Sequence, residues 1–195
     1  HFEAVVRALR LGFSSVMFDG STLSYEENIR QTREVVKMCH AVGVSVEAEL
    51  GAVGGDEGGA LYGEADSAKF TDPAIAREFV DSTGIDALAV AIGNAHGKYK
   101  GEPKLDFERL SAISQQTGIP LVLHGGSGIS DADFRRAISL GIHKINFYTG
   151  MSQAALGAVE QRMAERKPMY DEFAELLLGI EEAITDVVAE QMRTF

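Results

Sequence analysis

Pro120-Leu-Val-Leu-His124-Gly125-Gly126-Ser127-Gly128 carries two signals in one short stretch. The aliphatic half reads as a buried strand, because consecutive apolar residues leave no polar face to turn toward water. It stops at a histidine followed by glycines, where the chain must turn and where functional groups gather. A second stretch, Ala89-Val-Ala-Ile-Gly-Asn-Ala-His96-Gly97, repeats the pattern. Neutral imidazole is a good zinc ligand. Gly97 and Gly125 leave no Cβ to obstruct an anion approaching the backbone N–H groups. The pair therefore reads as metal ligands beside a phosphate cradle, which points to an enzyme acting on a phosphorylated substrate.

Working outward, five apolar runs alternate with helical patterns: Phe13–Phe18, Val44–Leu50, Ala87–Ile92, Ile119–Leu123 and Ile142–Phe147. Helices are predicted at about Ser24–Ala41, Pro73–Ser82, Asp106–Thr117, Asp131–Ser139 and Met151–Glu165. Gly12, Gly43, Gly84, Gly118 and Gly141 stand between a helix and the next strand, where a left-handed residue ends the helix. This βα rhythm predicts a parallel sheet in an α/β fold, and its repeat suits a TIM (β/α)8 barrel. Five strands are visible where a closed barrel needs eight. The expectation is a single domain over 1–195, the C-terminal portion of a barrel with three preceding strands absent. The opening segment lies inside a helical pattern of Val5, Val6, Leu9 and Leu11 without a start signal. From Pro168 to Phe195 a helical extension is predicted, with apolar residues from Phe173 to Val188 recurring at helical spacing. It either covers the barrel wall, the favoured reading, or makes an oligomer contact.

Composition narrows the function classes. The 195 residues are 45% apolar and carry a formal charge of −11. That balance argues against a nucleic-acid backbone or an anionic membrane as partner. Any phosphate must then be held locally. The single Cys39 allows no intramolecular disulfide, and no signal peptide or membrane-spanning run is visible, so the cytoplasm is the expected compartment.

In a barrel, chemistry collects at the carboxyl ends of the strands. Asp19, Glu49, His96, His124 and the run Asn146–Thr149 all fall there. A catalytic zinc site usually has three protein ligands, and two histidines leave the third to come from elsewhere. His40 and His143 are poorly placed and read as structural. Asp19 and Glu49 suit a second cation, with helix capping an equal alternative for Asp19. Glu47 and Lys144 share parity with Glu49 and Asn146 and should face inward. Lys144 is expected to pair with a carboxylate such as Glu47, the alternative being a Schiff-base nucleophile. The glycine-rich stretch Gly51–Gly63 holds Asp56 and Glu57. It reads as a solvated loop or as a lid whose acids enter the site.

Asp19-Gly-Ser, Glu47-Ala-Glu49-Leu-Gly with Gly54-Gly55-Asp56-Glu57, Ala95-His96-Gly97-Lys-Tyr, Leu123-His124-Gly-Gly-Ser127-Gly and Lys144-Ile-Asn146 together resemble the class II, zinc-dependent ketose-bisphosphate aldolases. The likeness spans nearly the whole chain. It implies reversible cleavage of a phosphorylated ketose to dihydroxyacetone phosphate and an aldehyde, with zinc polarising the ketone and stabilising the enediolate. His96 and His124 would be zinc ligands, and Asp19 and Glu49 a second divalent metal position. Gly97, Gly125, Gly126, Ser127, Asn146, Phe147, Tyr148 and Thr149 would bind dihydroxyacetone phosphate, assisted by a monovalent cation, Na+ or K+. Glu57 matches the lid acid that moves protons at the nucleophilic carbon. A homo-oligomer is implied, with neither nucleic acid nor membrane as partner.

Three departures matter. The family's third zinc histidine and catalytic aspartate have no counterpart in this chain, so the chain alone is expected to be inactive. Tyr148 stands where relatives have an acidic or small residue. No arginine in Glu172–Gly179 matches the one that relatives present to a distal phosphate, which points to a substrate with one phosphate. The alternatives are a non-catalytic phosphosugar-binding or assembly subunit and a metal-dependent barrel hydrolase. The hydrolase should show an early His-x-His pair and a final strand ending in aspartate, whereas the last strand here ends in Asn146.

Overall fold

The computed structural model describes residues 2–55, 62–63, 66–99, 101–165 and 173–195. Helix α1 (Phe2–Arg10) leads into strand β1 (Ser15–Phe18), and then βα units follow in order. They are α2 (Tyr25–His40), β2 (Ser45–Leu50), α3 (Pro73–Thr83), β4 (Ala87–Val90), α4 (Phe107–Thr117), β6 (Leu121–Leu123), α5 (Asp131–Ser139), β7 (Ile142–Ile145) and α6 (Thr149–Glu165). Two short strands, β3 (Tyr62–Gly63) and β5 (Lys98–Tyr99), form a separate parallel pair.

The five longer strands form one all-parallel sheet in the order β1-β2-β4-β6-β7. This is the predicted partial barrel, and the sheet is open among the described residues. Gly12, Gly43, Gly84, Gly118 and Gly141 all have positive φ, as their helix-to-strand positions require. Side-chain parity divides the sheet into two faces. Val46, Ala48, Leu88, Val90, Leu121 and Leu123 join the core beneath the helices, with Val35, Phe79, Leu110, Ile113 and Phe134. The inner face carries Glu47, Glu49, Ala89, Val122 and His124.

One irregularity places an inner-face residue. The β6–β7 pairing shifts register between Leu121 and Val122, so Leu121 faces Ile142 but Val122 faces Lys144. The extra residue, His143, is exposed, and Lys144 lands opposite Val122.

The C-terminal region is helical, with α7 (Phe173–Leu176) and α8 (Ile180–Thr194) separated by a turn that ends in Gly179 at φ 87°. Helix α8 packs on α6, and Phe195 stacks edge-on against Phe134 of α5 with ring centroids 4.9 Å apart.

Candidate functional site

The site is built where inner-face residues of β2, β6 and β7 meet the loops that leave β4 and β6. His124 continues β6 and is fully buried. Its Nε2 lies 2.8 Å from Oε1 of Glu47, and its Nδ1 lies 3.4 Å from Oε2 of Glu49. Alanine at position 89 of the intervening β4 leaves room for that reach. The second oxygen of Glu47 accepts from Nζ of Lys144 at 2.7 Å, and the same ammonium donates to Oδ1 of Asn146 at 2.8 Å. β2 and β7 are three strand steps apart, about 14 Å in a flat sheet. Their side chains meet because the sheet curls. The predicted pairing of Lys144 with Glu47 is present, and Glu47 bonds His124 as well.

Electrostatics follow from this packing. Burial works against a charged imidazole at His124, but the hydrogen bond to Glu47 and the charges of Glu49 and Glu47 outweigh it, with Lys144 opposing. The net effect raises its pKa. Burial pushes the Glu47 carboxyl up, yet the bonds from His124 and Lys144 and their positive charge hold it below the usual carboxylate value.

His96 approaches from the loop after β4. Its ring lies edge-on to that of His124, with centroids 5.7 Å apart and an interplanar angle of 61°. Its backbone N–H donates to the carbonyl of Gly54 at 2.7 Å. Asn94 fastens the two histidine loops together: its Oδ1 accepts from Ile92 N–H, and its Nδ2 donates to the carbonyl of His124 at 3.0 Å. Gly125 has φ 66°, and a Cβ there would run into the Ala95 carbonyl, so only glycine allows this approach.

The residues expected to form the cradle lie at the ends of β6 and β7. Gly126 N–H donates to the Asn146 carbonyl at 3.1 Å, and Ser127 Oγ accepts from Gly150 N–H at 2.9 Å. Phe147 lies against Gly150, Thr149 opens α6, and Tyr148 is 67% exposed. Gly97 has φ 82°.

The predicted site residues are not all drawn into one cluster. Asp19 is exposed and accepts from Ser21 N–H at 2.8 Å. The capping alternative for Asp19 is corrected: Ser24 caps α2, accepting from Glu27 N–H. Glu49 is buried, and its Oε1 accepts from Val53 N–H at 3.3 Å. Glu57, with Asp56, lies outside the described residues. His40 pairs with Asp86 at 2.8 Å, and His143 Nδ1 lies 2.8 Å from the Gly141 carbonyl, as structural histidines do. Sequence reasoning assigns no role to Asn94 or Tyr99. A signal exists for Tyr99, which stands three residues after His96, and a partly buried phenol usually finds a hydrogen-bond partner.

Nitrogen ligands with neighbouring carboxylates suit zinc. His96 and His124 fit two of the ligands such a site needs. Among the described residues, no group of three or more His, Cys, Asp or Glu side chains could hold a metal.

All 195 residues match the family model described as fructose-bisphosphate aldolase class-II. The chain belongs to this class II aldolase family. It is 45% identical over 194 residues to the "Probable fructose-bisphosphate aldolase" of Bacillus subtilis (strain 168), covering 100% of this chain and 67% of that protein. The crystal structure of the YdjI aldolase from Escherichia coli K12 superposes with a TM-score of 0.83 at 42% identity, covering 99% of this chain and 65% of that one. Fructose-bisphosphate aldolase from Campylobacter jejuni superposes at 0.75 with 26% identity, covering 99% and 64%. This aldolase-family chain thus spans about two thirds of the length of each of these relatives.

Proposed function

We propose that the protein is a metal-dependent aldolase that reversibly cleaves a phosphorylated ketose to dihydroxyacetone phosphate and an aldehyde. The observation that supports this reading is the contact between the rings of His96, from the loop after β4, and His124, at the end of β6, in a chain of the class II aldolase family. His96 and His124 would hold zinc, with a further ligand from outside the described residues. Bound zinc supplies Lewis-acid polarisation of the substrate carbonyl. Glu47 orients His124 through Nε2, as carboxylates do for ligating imidazoles. Gly97, Gly125, Gly126 and Ser127 with Asn146–Thr149 would seat the phosphate of dihydroxyacetone phosphate, where loop N–H groups meet the start of α6. A monovalent cation there, Asp19 and Glu49 as a second cation position, and Glu57 as the proton-transfer acid complete the reading.

The substrate is proposed to carry one phosphate, because Glu172–Gly179 has no arginine to match the one that the family presents to a distal phosphate. A cytoplasmic homo-oligomer is proposed with it. Exposed Leu156, Met163, Leu177 and Met192 support self-association, and no described helix is long and apolar enough to cross a membrane.

The test is zinc content after purification without chelator, in the natural-length protein (the parent) and in its His96→Ala and His124→Ala forms. It is followed by a retro-aldol screen of ketose mono- and bisphosphates. Near-stoichiometric zinc that both substitutions abolish, with turnover favouring monophosphates, is the expected result. Absence of zinc from the parent removes the metal reading and favours a non-catalytic phosphosugar-binding subunit. An ordinary KM for a hexose bisphosphate removes the monophosphate assignment alone.

A further inference from the structure

Tyr99 bridges the two segments that carry the histidines. Its phenol oxygen accepts from Ala95 N–H and donates to the carbonyl of Gly125, each at 2.9 Å. Ala95 precedes His96 and Gly125 follows His124, so the two bonds tie the backbone next to each imidazole. The loops touch directly, since a Cβ at Gly125 would run into the Ala95 carbonyl and approach His96 N at 3.1 Å. The ring rests against Gly128, where a Cβ would lie 3.2 Å from its Cδ2. The surrounding backbone is braced on its other side: Ala95 pairs with Gly54, and Lys98 and Tyr99 pair with Tyr62 and Gly63. Within this frame the phenol adds a hydrogen-bonded bridge beside the direct contact of the two histidine loops.

We propose that Tyr99 is a positioning residue whose hydroxyl sets the spacing of His96 and His124, and thereby the affinity of the pair for a divalent metal. The proposal rests on the metal reading above. Metal–ligand bonds tolerate only about 0.2 Å of error, so a pair of imidazoles on two separate loops binds well only if the loops are locked in register. Without the hydroxyl, Ala95 N–H and the Gly125 carbonyl lose their shared partner and the loops gain freedom to separate.

The experiment compares the parent with Tyr99→Phe, which keeps the ring. Thr117→Val is the control: it removes a buried hydroxyl bonded to the Ile113 carbonyl in α4, away from the site. Zinc affinity is read by chelator competition, metal geometry by the visible absorption of the cobalt(II) form, and folding by the thermal midpoint. Tyr99→Phe is expected to weaken zinc binding by about 10- to 100-fold, the usual cost of losing a partner outside the ligand shell, and to alter the cobalt spectrum. Thr117→Val should lower the midpoint but keep the parent's affinity and spectrum. Parent-like affinity and spectrum in Tyr99→Phe would overturn the proposal while leaving the metal reading intact. Equal weakening by Thr117→Val would also overturn it, by showing general loosening. A parent that binds neither metal removes the metal reading and this inference together.

Discussion

At the scale of single residues, Gly125 shows why a small side chain can be obligatory. Its backbone is left-handed and its missing Cβ is replaced by the Ala95 carbonyl. Gly125→Ala therefore adds backbone strain to a steric conflict, together about 2 to 5 kcal/mol. For a chain of this size that is a fall in Tm of roughly 5 to 15 °C, measurable by calorimetry. Tyr99 offers a pH test. Burial pushes its phenol up to about 12 from the ordinary 10.0, against a smaller opposing effect of the bond from Ala95. The folded state holds that proton more tightly, so its stabilising contribution is complete below pH 10 and lost as pH rises from 10 through about 12. The stability advantage of the parent over Tyr99→Phe should shrink across that window by roughly 3 kcal/mol. Urea denaturation at several alkaline pH values measures it, and a constant difference would contradict the assignment.

At the scale of elements, β2 and β7 are joined by one carboxylate. Glu47 is 5% exposed and bonds both His124 and Lys144, while the lysine side chain keeps 51% exposure. Glu47→Gln preserves shape but leaves the ammonium and the imidazole facing a neutral amide. The expected loss is about 1 to 3 kcal/mol, less than for a fully buried pair because water still screens Lys144. A lowered urea midpoint would show it. Combining Glu47→Gln with Lys144→Met should give less than the summed losses, since both remove one contact. The inward parity of Glu47 and Lys144 is legible in the sequence, because strands alternate faces. The register shift at Leu121/Val122 that sets Lys144 opposite Val122 is not, because pairing depends on the neighbouring strand.

At the scale of the whole molecule, the C-terminal helices connect back to the site. Phe195 stacks on Phe134, and the Phe134 ring lies under Gly126, 3.4 Å from where a Cβ would stand. Phe195→Ala should cost about 1 kcal/mol, seen as a lower thermal midpoint, because the aromatic pair and the part of the ring that it covers are both lost. A midpoint unchanged from the parent would show that α8 docks without this contact.

The amino-acid sequence by itself determined the order and kind of the βα units, the left-handed glycines between them and the placement of His124 and Asn146 at strand ends, with His96 in the loop that follows β4. These are local properties, written in runs of apolar residues and in the conformational freedom of glycine. The break at Gly179 was less legible, since apolar spacing continues through it while the backbone does not. Only the tertiary structure decided that Glu47 reaches across Ala89 to both His124 and Lys144, and that Tyr99 ties Ala95 to Gly125. Those contacts join residues from different strands and loops, and they depend on how far the sheet curls and how its strands pair, which no single stretch of sequence contains.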